Sequence, residues 1–347
     1  MIEDSSKDYN DNNKDISSDI KNEAQKASPK SPLKKGVLSV TIIVMVVIIL
    51  AVGFLAIGGK DILRAYKLRM ELFDKKAFVS QALWTITQYG DSSGKQDSFY
   101  ILTSNKGQVV VIDGGWKDNS EQVAYELKRR GGKVDAWILT HPHPDHIGAF
   151  NDIYKSGDIK IKAIYDNNLD IEYYDTVNES WDEIEIYKEY LEETTGDSNV
   201  HHIKVGDKVE LEGISFTFYS AYDDSMQGLK DICNNSSLVF TADTGDYEIL
   251  FVGDCYDENI IGSVLADHKD EVKPDMAQMP HHGNSILPDN YYEELELEIC
   301  FFDAPAWLME DVNYSTYLHQ DAMERAGARC IDQSMAPTTV KLYLEED

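Results

Sequence analysis

Residues 140–146 read THPHPDH, which places His141, His143, Asp145 and His146 within seven positions. Three of the chain's nine histidines sit in this one loop. His141 and His143 are two residues apart, and on an extended backbone that spacing points both side chains the same way. Pro142 and Pro144 hold the donors apart. Asp145 and His146 fall where the loop turns into a helix and aim at a second point. Imidazole and carboxylate are the donors that zinc and similar divalent ions accept. The plain alternative is a polar turn with Asp145 capping the helix. Three imidazoles and a carboxylate at this spacing outweigh it, and a metal loop is expected.

The surrounding pattern says how that loop is held. VDAWILT (134–140) reads as a short buried strand running straight into it. Before it, LWTITQYG (83–90) and SFYILTSNKGQVVVIDGG (98–115) read as strands, the last closing at Asp113, and SEQVAYELKRRGG (120–132) reads as an amphipathic helix ended by glycine. An acidic helix is expected near 178–193. Strands follow in KVELEGISFTFYS (208–220), SSLVFTAD (236–243) and YEILFVGD (247–254), and a helix in CYDENIIGSVLAD (255–267). PDMAQMPHHG (274–283), EICFFDAP (298–305), a helix from about Tyr317 and a final strand TTVKLYL (338–344) complete the order. Two β-rich halves with flanking helices predict two sheets packed together with helices outside, an α/β fold.

The N-terminal region is of another kind. Residues 1–36 are rich in Asp, Asn, Ser and Lys and predict a disordered polar tail. Val37 to Gly59 then pass without a charge over 23 residues, enough helix to cross a hydrocarbon core of roughly 30 Å. The polar stretch before it is too long for a signal peptide, so a single transmembrane helix over 37–59 is expected. Lys21, Lys26, Lys30, Lys34 and Lys35 precede it, while Lys60, Arg64, Lys67, Arg69, Lys75 and Lys76 follow, so basic residues nearly balance across it. A short tail before one span usually stays in the cytosol, which puts the C-terminal domain outside the cytoplasm at the cell membrane. Ile62, Leu63, Tyr66, Met70 and Phe73 recur at near-helical spacing, a juxtamembrane linker helix over 60–80. Residues 81–347 form the remaining domain.

Charge limits the partners. Sixty-two acidic residues against 32 basic ones give a net charge of −30. Such a surface repels phosphate backbones, so long nucleic acid is disfavoured as a partner and a small anionic substrate is expected. The hydrophobic content of 42% is enough for a sizeable core. Cys233, Cys255, Cys300 and Cys330 show no C-x-x-C spacing and suggest buried structural thiols rather than a zinc knuckle.

H-x-H-x-D-H at the end of a buried strand resembles the signature of the metallo-β-lactamase superfamily. The resemblance runs from about Leu83 to the C-terminus. It implies a four-layer αββα sandwich preceded here by the membrane helix. Asp113 in VVVIDGG matches the family's upstream aspartate, which supports the metal loop from behind. Asp254 in ILFVGD matches the downstream bridging aspartate, and one of His281 and His282 in MPHHG matches the final histidine. By that likeness His141 and His143 hold one divalent ion, Asp145, His146 and His282 hold a second, and Asp254 bridges them. The ions would be zinc, with manganese the alternative. A water they activate would attack a phosphoryl or carbonyl centre, with His281 as proton donor or substrate contact; Asp145, His281 and Asp113 are thus the catalytic candidates.

Many members carry a further histidine for the first ion between the main motif and the bridging aspartate. His201 and His202 are the candidates here, with Asn235 or water as substitutes. NNSSLVF (234–240), VGD, PHHG and the late His319 make the chain most similar to the nuclease-like domain of ComEC-type competence proteins. The expected activity is hydrolysis of a phosphoester or phosphodiester. A lactone, thioester or amide is the alternative bond, and a non-catalytic metal-containing binding domain the alternative class. The insert 167–199 carries Tyr173, Tyr174, Trp181 and Tyr187, as a substrate-facing wall or as packing of a helix.

Overall fold

The computed structural model describes Met45 and residues 82–285, 293–333 and 337–345. The chain divides into two units, Met1–Ile57 and Gly58–Asp347, and every secondary-structure element described here belongs to the second. The expected polar tail, membrane helix and linker helix over 1–80 lie outside the described residues, Met45 excepted. Among the described residues no helix is long and apolar enough to cross a membrane.

Among the described residues, sixteen strands carry the domain. Seven form the first sheet: β1 (Trp84–Gln88), β2 (Phe99–Ser104), β3 (Val109–Asp113), β5 (Ala136–Ile138), β7 (Ile164–Asp166), β8 (Val200–His202) and β16 (Thr338–Lys341). Their spatial order is β16-β1-β2-β3-β5-β7-β8. The second sheet runs β15 (Arg329–Ile331), β14 (Ile299–Phe301), β13 (Met276–Gln278), β12 (Glu248–Phe251), β11 (Val239–Asp243), β10 (Ile214–Ser220) and β9 (Lys208–Leu211). β4 (Lys133–Val134) and β6 (Lys160–Ile161) pair separately.

Alternation along the strands explains why the sheets face each other. On β2, Tyr100 and Leu102 join a core shared with Phe216, Phe218, Phe240 and Phe251 of the second sheet. Their neighbours Phe99 and Ile101 point the other way, into a cluster with Val123, Leu127, Ile147 and Phe150. Those four side chains come from helices α1 (Ser120–Arg129) and α2 (Pro144–Ser156). On β12, Ile249 and Phe251 face inward, while Leu250 packs outward with Val264, Leu308 and Met323. A period of two on both sheets gives two buried faces each. Three apolar layers therefore separate helix, sheet, sheet and helix, the mixed α/β arrangement expected from the strand pattern.

β3, β5 and β7 run parallel, as do β12, β13 and β14. The carboxyl ends of both parallel sets carry the loops that matter for chemistry, as is usual for open α/β sheets. α2 starts with Pro144 at its first turn and stops at Gly157, whose φ of 67° ends it in the left-handed region.

The acidic helix expected near 178–193 starts seven residues later, and a separate short helix precedes it. α3 (Ile171–Val177) begins at Asp170, whose side chain accepts the Glu172 and Tyr173 amides, and ends at Asn178 in an extended conformation. α4 (Glu185–Thr194) follows a seven-residue loop. Tyr174 and Tyr187 are buried against the outer face of the first sheet, so they pack the insert, whereas Trp181 is 63% exposed. The remaining α-helices among the described residues are α5 (Ile232–Asn235), α6 (Glu258–Asp267), α7 (Ala306–Glu310) and α8 (Ser315–Ala326). All four cysteines are free thiols, and three are buried.

One strand-end acid has a measurable cost. Burial, with Asp243 and Asp275 nearby, lifts the Glu248 carboxyl to about 7, against a bond from the Lys273 amide. The folded state then holds the proton more tightly than the unfolded state, where the value is about 4.3. Stability should fall as pH rises from about 4.5 to 7 and stay reduced above that. Glu248→Gln is expected to be more stable than its parent by about 1 kcal/mol at pH 8, after allowance for solvent screening, and equal to it near pH 4.5. Urea midpoints at the two pH values check this; an equal difference at both would refute it.

Candidate metal centre

Each donor is delivered by a strand end. β5 hands over through Leu139 to Thr140 and the loop, whose two prolines keep His141 and His143 extended before α2 starts. Asp145 and His146 occupy the first turn of α2, where the helix dipole favours a carboxylate. β12 ends at Phe251, three residues before Asp254, and β13 ends just before the Pro280–Gly283 turn that carries His282. His141, His143, Asp145, His146, Asp254 and His282 are all buried.

These side chains form a knot centred on Asp254. Its Oδ1 lies 3.3 Å from His146 Nε2, and its Oδ2 lies 3.2 Å from His282 Nε2 and 3.9 Å from His141 Nε2. Asp145 Oδ2 is 3.2 Å from the same His282 nitrogen. Donor atoms fall into two groups, His141, His143 and Asp254 in one and Asp145, His146 and His282 in the other, each spanning no more than 4.8 Å. The Nε2 atoms of His141, His146 and His282 and Asp254 Oδ1 are buried without a well-aligned hydrogen bond among the described residues. Burying four polar atoms without aligned hydrogen bonds costs free energy unless another partner compensates. Divalent metal is the partner this donor set fits.

The far nitrogens are occupied. His146 Nδ1 donates to Asp113 Oδ2 at 2.8 Å, since the carboxylate can only accept. Asp113 also accepts the Thr140 amide at 2.8 Å and the Thr140 hydroxyl, fixing the start of the loop. His282 Nδ1 donates to the Asp303 carbonyl at 2.8 Å, and His141 Nδ1 lies 3.1 Å from the Thr140 hydroxyl. His143 Nε2 lies 3.0 Å from Asp182 Oδ1. Such outer bonds fix ring orientation and raise ligand basicity.

Asp303 itself sits where the sheets meet. Gln88 of β1 and Tyr100 of β2 donate to its Oδ1, and Gln278 of β13 donates to Oδ2 at 3.0 Å. Burial lifts its carboxyl to about 6 despite these donors. Gln278 also accepts the Val252 and Gly253 amides, so one side chain sets the turn before Asp254.

Electrostatics follow from crowding. Burial pushes His146 down, but Asp254 and Asp113 outweigh it and raise it to about 10. Burial likewise opposes protonation of His282, and Asp254 and Asp145 hold it well above the usual imidazole range. Burial and the neighbouring His146 push His141 well below that range. Asp145 and Asp254 stay ionised because His282 and His146 overcome their burial. Protons and divalent cations thus compete for the same nitrogens.

The other candidates separate cleanly. His281 has φ 49° and ψ 53°, lies outside both donor groups and stacks on Tyr256 at 5.5 Å. His201 and His202 are exposed within β8. His201 stacks on Tyr165, and His202 bonds Asp166 at 2.6 Å. Neither joins a donor group. Asn235 uses its amide oxygen on the Tyr256 and Asp257 amides and its nitrogen on the Lys230 carbonyl, so it braces the turn after Asp254. His319 is buried, with Nδ1 2.8 Å from the Gly283 carbonyl, and steadies the turn carrying His282.

A sequence model described as the metallo-beta-lactamase superfamily matches residues 94–287, which span every residue of both donor groups. The chain belongs to the metallo-beta-lactamase superfamily. Within it, the chain is similar to a UPF0173 metal-dependent hydrolase of Thermodesulfovibrio yellowstonii, 28% identical over 239 residues, 62% of this chain and 84% of that protein. Among solved structures it is similar to the metallo-beta-lactamase fold protein YhfI of Bacillus subtilis. That match has a TM-score of 0.47 and 13% identity over 75% of this chain and 100% of the other. It is also similar to Zn(2+)-bound PqqB of Methylobacterium extorquens, with a TM-score of 0.46 and 9% identity over 74% of this chain and 99% of the other. As a superfamily member with this donor set, the protein is a metal-dependent hydrolase.

Proposed function

We propose that this superfamily member hydrolyses a phosphoester or phosphodiester in a small anionic substrate, in the manner of the nuclease-like domains of ComEC-type proteins. The reading rests on the unpartnered Nε2 atoms of His141, His146 and His282 around Asp254, taken with the net charge of −30. An anionic ester approaches so acidic a protein only where fixed positive charge offsets the field. His141 and His143 with Asp254, and Asp145, His146 and His282 with Asp254, would hold the two ions, zinc or manganese. Two such ions supply a water acidified to near neutrality and positive charge for the ester oxygens.

The chain's own residues do the rest. Asp254 and Asp145 orient the imidazoles around them, and Asp113 holds a proton on His146 Nδ1, which directs Nε2 inward. The Asp303 carbonyl does the same for His282. Burial keeps His281 below the usual imidazole range, so it presents a neutral ring with one N–H for a leaving-group oxygen. The apolar run 37–59 would hold this domain against the cell membrane, on its extracytoplasmic side.

The test is turnover by the purified protein with zinc or manganese. Bis-(p-nitrophenyl) phosphate, nitrocefin, a lactone and single-stranded DNA are offered in parallel. Turnover of the phosphodiester is expected. Turnover of only nitrocefin or the lactone would sink this reading.

A further inference from the structure

Three of the four clustered histidines are held at Nδ1 and turn Nε2 inward, by Asp113, the Asp303 carbonyl and the Thr140 hydroxyl. His143 is turned the other way. Its Nε2 faces Asp182 Oδ1 at 3.0 Å, which leaves Nδ1 for the donor group with His141 and Asp254. Asp182 comes from none of the strand ends. It lies in the loop between α3 and α4, inside the insert 167–199.

The loop is organised around that carboxylate. Asp182 is 4% exposed, and its second oxygen accepts the Glu179 amide at 2.8 Å. Its own amide donates to the Glu179 carbonyl, closing a short turn. The next residue, Glu183, takes φ 46°, a conformation that costs a non-glycine residue energy and persists only where its surroundings enforce it. Beyond the loop, the Ile186 carbonyl accepts Asn151 Nδ2 of α2 at 2.9 Å, on the helix that carries Asp145 and His146. Tyr174 and Cys233 fill the space beside His143 and Asp182. The insert is thus tied to the metal loop by a buried carboxylate whose two oxygens are both in use.

We infer that Asp182 is the positioning residue of the first ion's site, so that the insert, and not only the metal loop, sets the affinity for that ion. The role rests on the two-metal reading of the knot. By holding the proton on Nε2, Asp182 presents an unprotonated Nδ1 and fixes the ring plane. With no third histidine in the donor group of His141, His143 and Asp254, the orientation of His143 carries more of that ion's binding than it would in a fully imidazole-ligated site. Carboxylates placed behind a ligating imidazole typically contribute 10- to 100-fold in metal affinity. Any rearrangement of the 178–184 loop is then linked to occupancy of the first position by the reciprocity of binding equilibria.

The experiment measures metal binding, not turnover. Metal-free full-length protein is titrated with zinc against a chromophoric chelator, for the parent, Asp182→Ala, Asp182→Asn and His143→Ala. The parent is expected to bind two ions. Asp182→Ala should weaken one of them by about 10- to 100-fold and leave the other within about twofold. Asp182→Asn leaves one acceptor oxygen for two donors, the Glu179 amide and the His143 ring, and should weaken the same ion by no more than alanine does. In the cobalt-substituted protein, only the absorption bands lost in His143→Ala should change in Asp182→Ala. Should Asp182→Ala fail to fold, as judged by circular dichroism, Asp182→Asn decides: unchanged first-ion affinity overturns the role. Two unchanged affinities in Asp182→Ala, or equal weakening of both ions, also overturn it. A parent that fails to take up two ions removes the two-metal reading, and the role falls with it.

Discussion

Asp254→Asn is expected to cut kcat/KM by about 1,000-fold or more and to lower bound metal below two ions per chain. The size follows from geometry. Asp254 belongs to the first donor group and also reaches the second, touching His146 with Oδ1 and His282 and His141 with Oδ2. Asparagine keeps the shape and the backbone bond from the Asp254 amide to Ser237 Oγ, so the turn should fold unchanged. It replaces one oxygen by an amide nitrogen that can only donate, facing imidazole nitrogens that must also face a cation. Loss of a bridging anion removes several kcal/mol of charge stabilisation, and about 4 kcal/mol is a thousandfold in rate. Steady-state kinetics with elemental analysis of the same sample check it. A variant with two bound ions and activity within tenfold of the parent would show that Asp254 does not bridge.

Asp254 also shows what a sequence can disclose. It lies three residues beyond a buried apolar strand, where a buried carboxylate has few structural explanations. His141, His143, Asp145 and His146 announce themselves by spacing, because two elements' worth of donors are packed into seven positions. Asp113, Asp254 and one of His281 and His282 came into view through the likeness to the superfamily's motifs, which their places at or just beyond strand ends match. The residues behind them carry no such mark. Asp303 and Asp182 are two among 62 acids, and Thr140 is an ordinary residue before a loop. Their roles come from which side chains the two sheets and the insert bring together across more than 20 residues of chain.

Other misreadings had signals that went unused. Asp170 two residues before Glu172 is an N-cap pattern that marks the start of α3, and the polar stretch Asn178–Ser180 marks its end. Taken together they set a separate short helix before the acidic one. His319 lies at helical spacing with Thr316, Ala322 and Met323, which places it on the buried face of α8. The run 37–59 remains a reading from sequence alone, because it falls among residues the structure leaves undescribed.

Gly253→Ala is expected to lower the metal-loaded protein's stability by roughly 2–5 kcal/mol and its turnover by tenfold or more. Gly253 has φ 54°, where a side chain costs about 1–2 kcal/mol. A Cβ there would lie 2.8 Å from Ser237 Cβ, 2.9 Å from Ser237 Oγ and 3.1 Å from Thr140 Cβ. Neither neighbour can yield freely. Ser237 Oγ accepts the Asp254 amide and donates to the Asn234 carbonyl, and the Thr140 hydroxyl donates to Asp113. Relief of the clash therefore moves either Asp254 or the support of His146. Gly245→Ala separates the two contributions, because Gly245 has φ 83° and nothing within 4 Å of its Cβ position. It should show the backbone cost of about 1–2 kcal/mol alone, with activity intact. Thermal unfolding of both variants beside kcat/KM provides the comparison. Equal losses of stability with equal activity would mean that the space between Ser237 and Thr140 does not hold Asp254 in place.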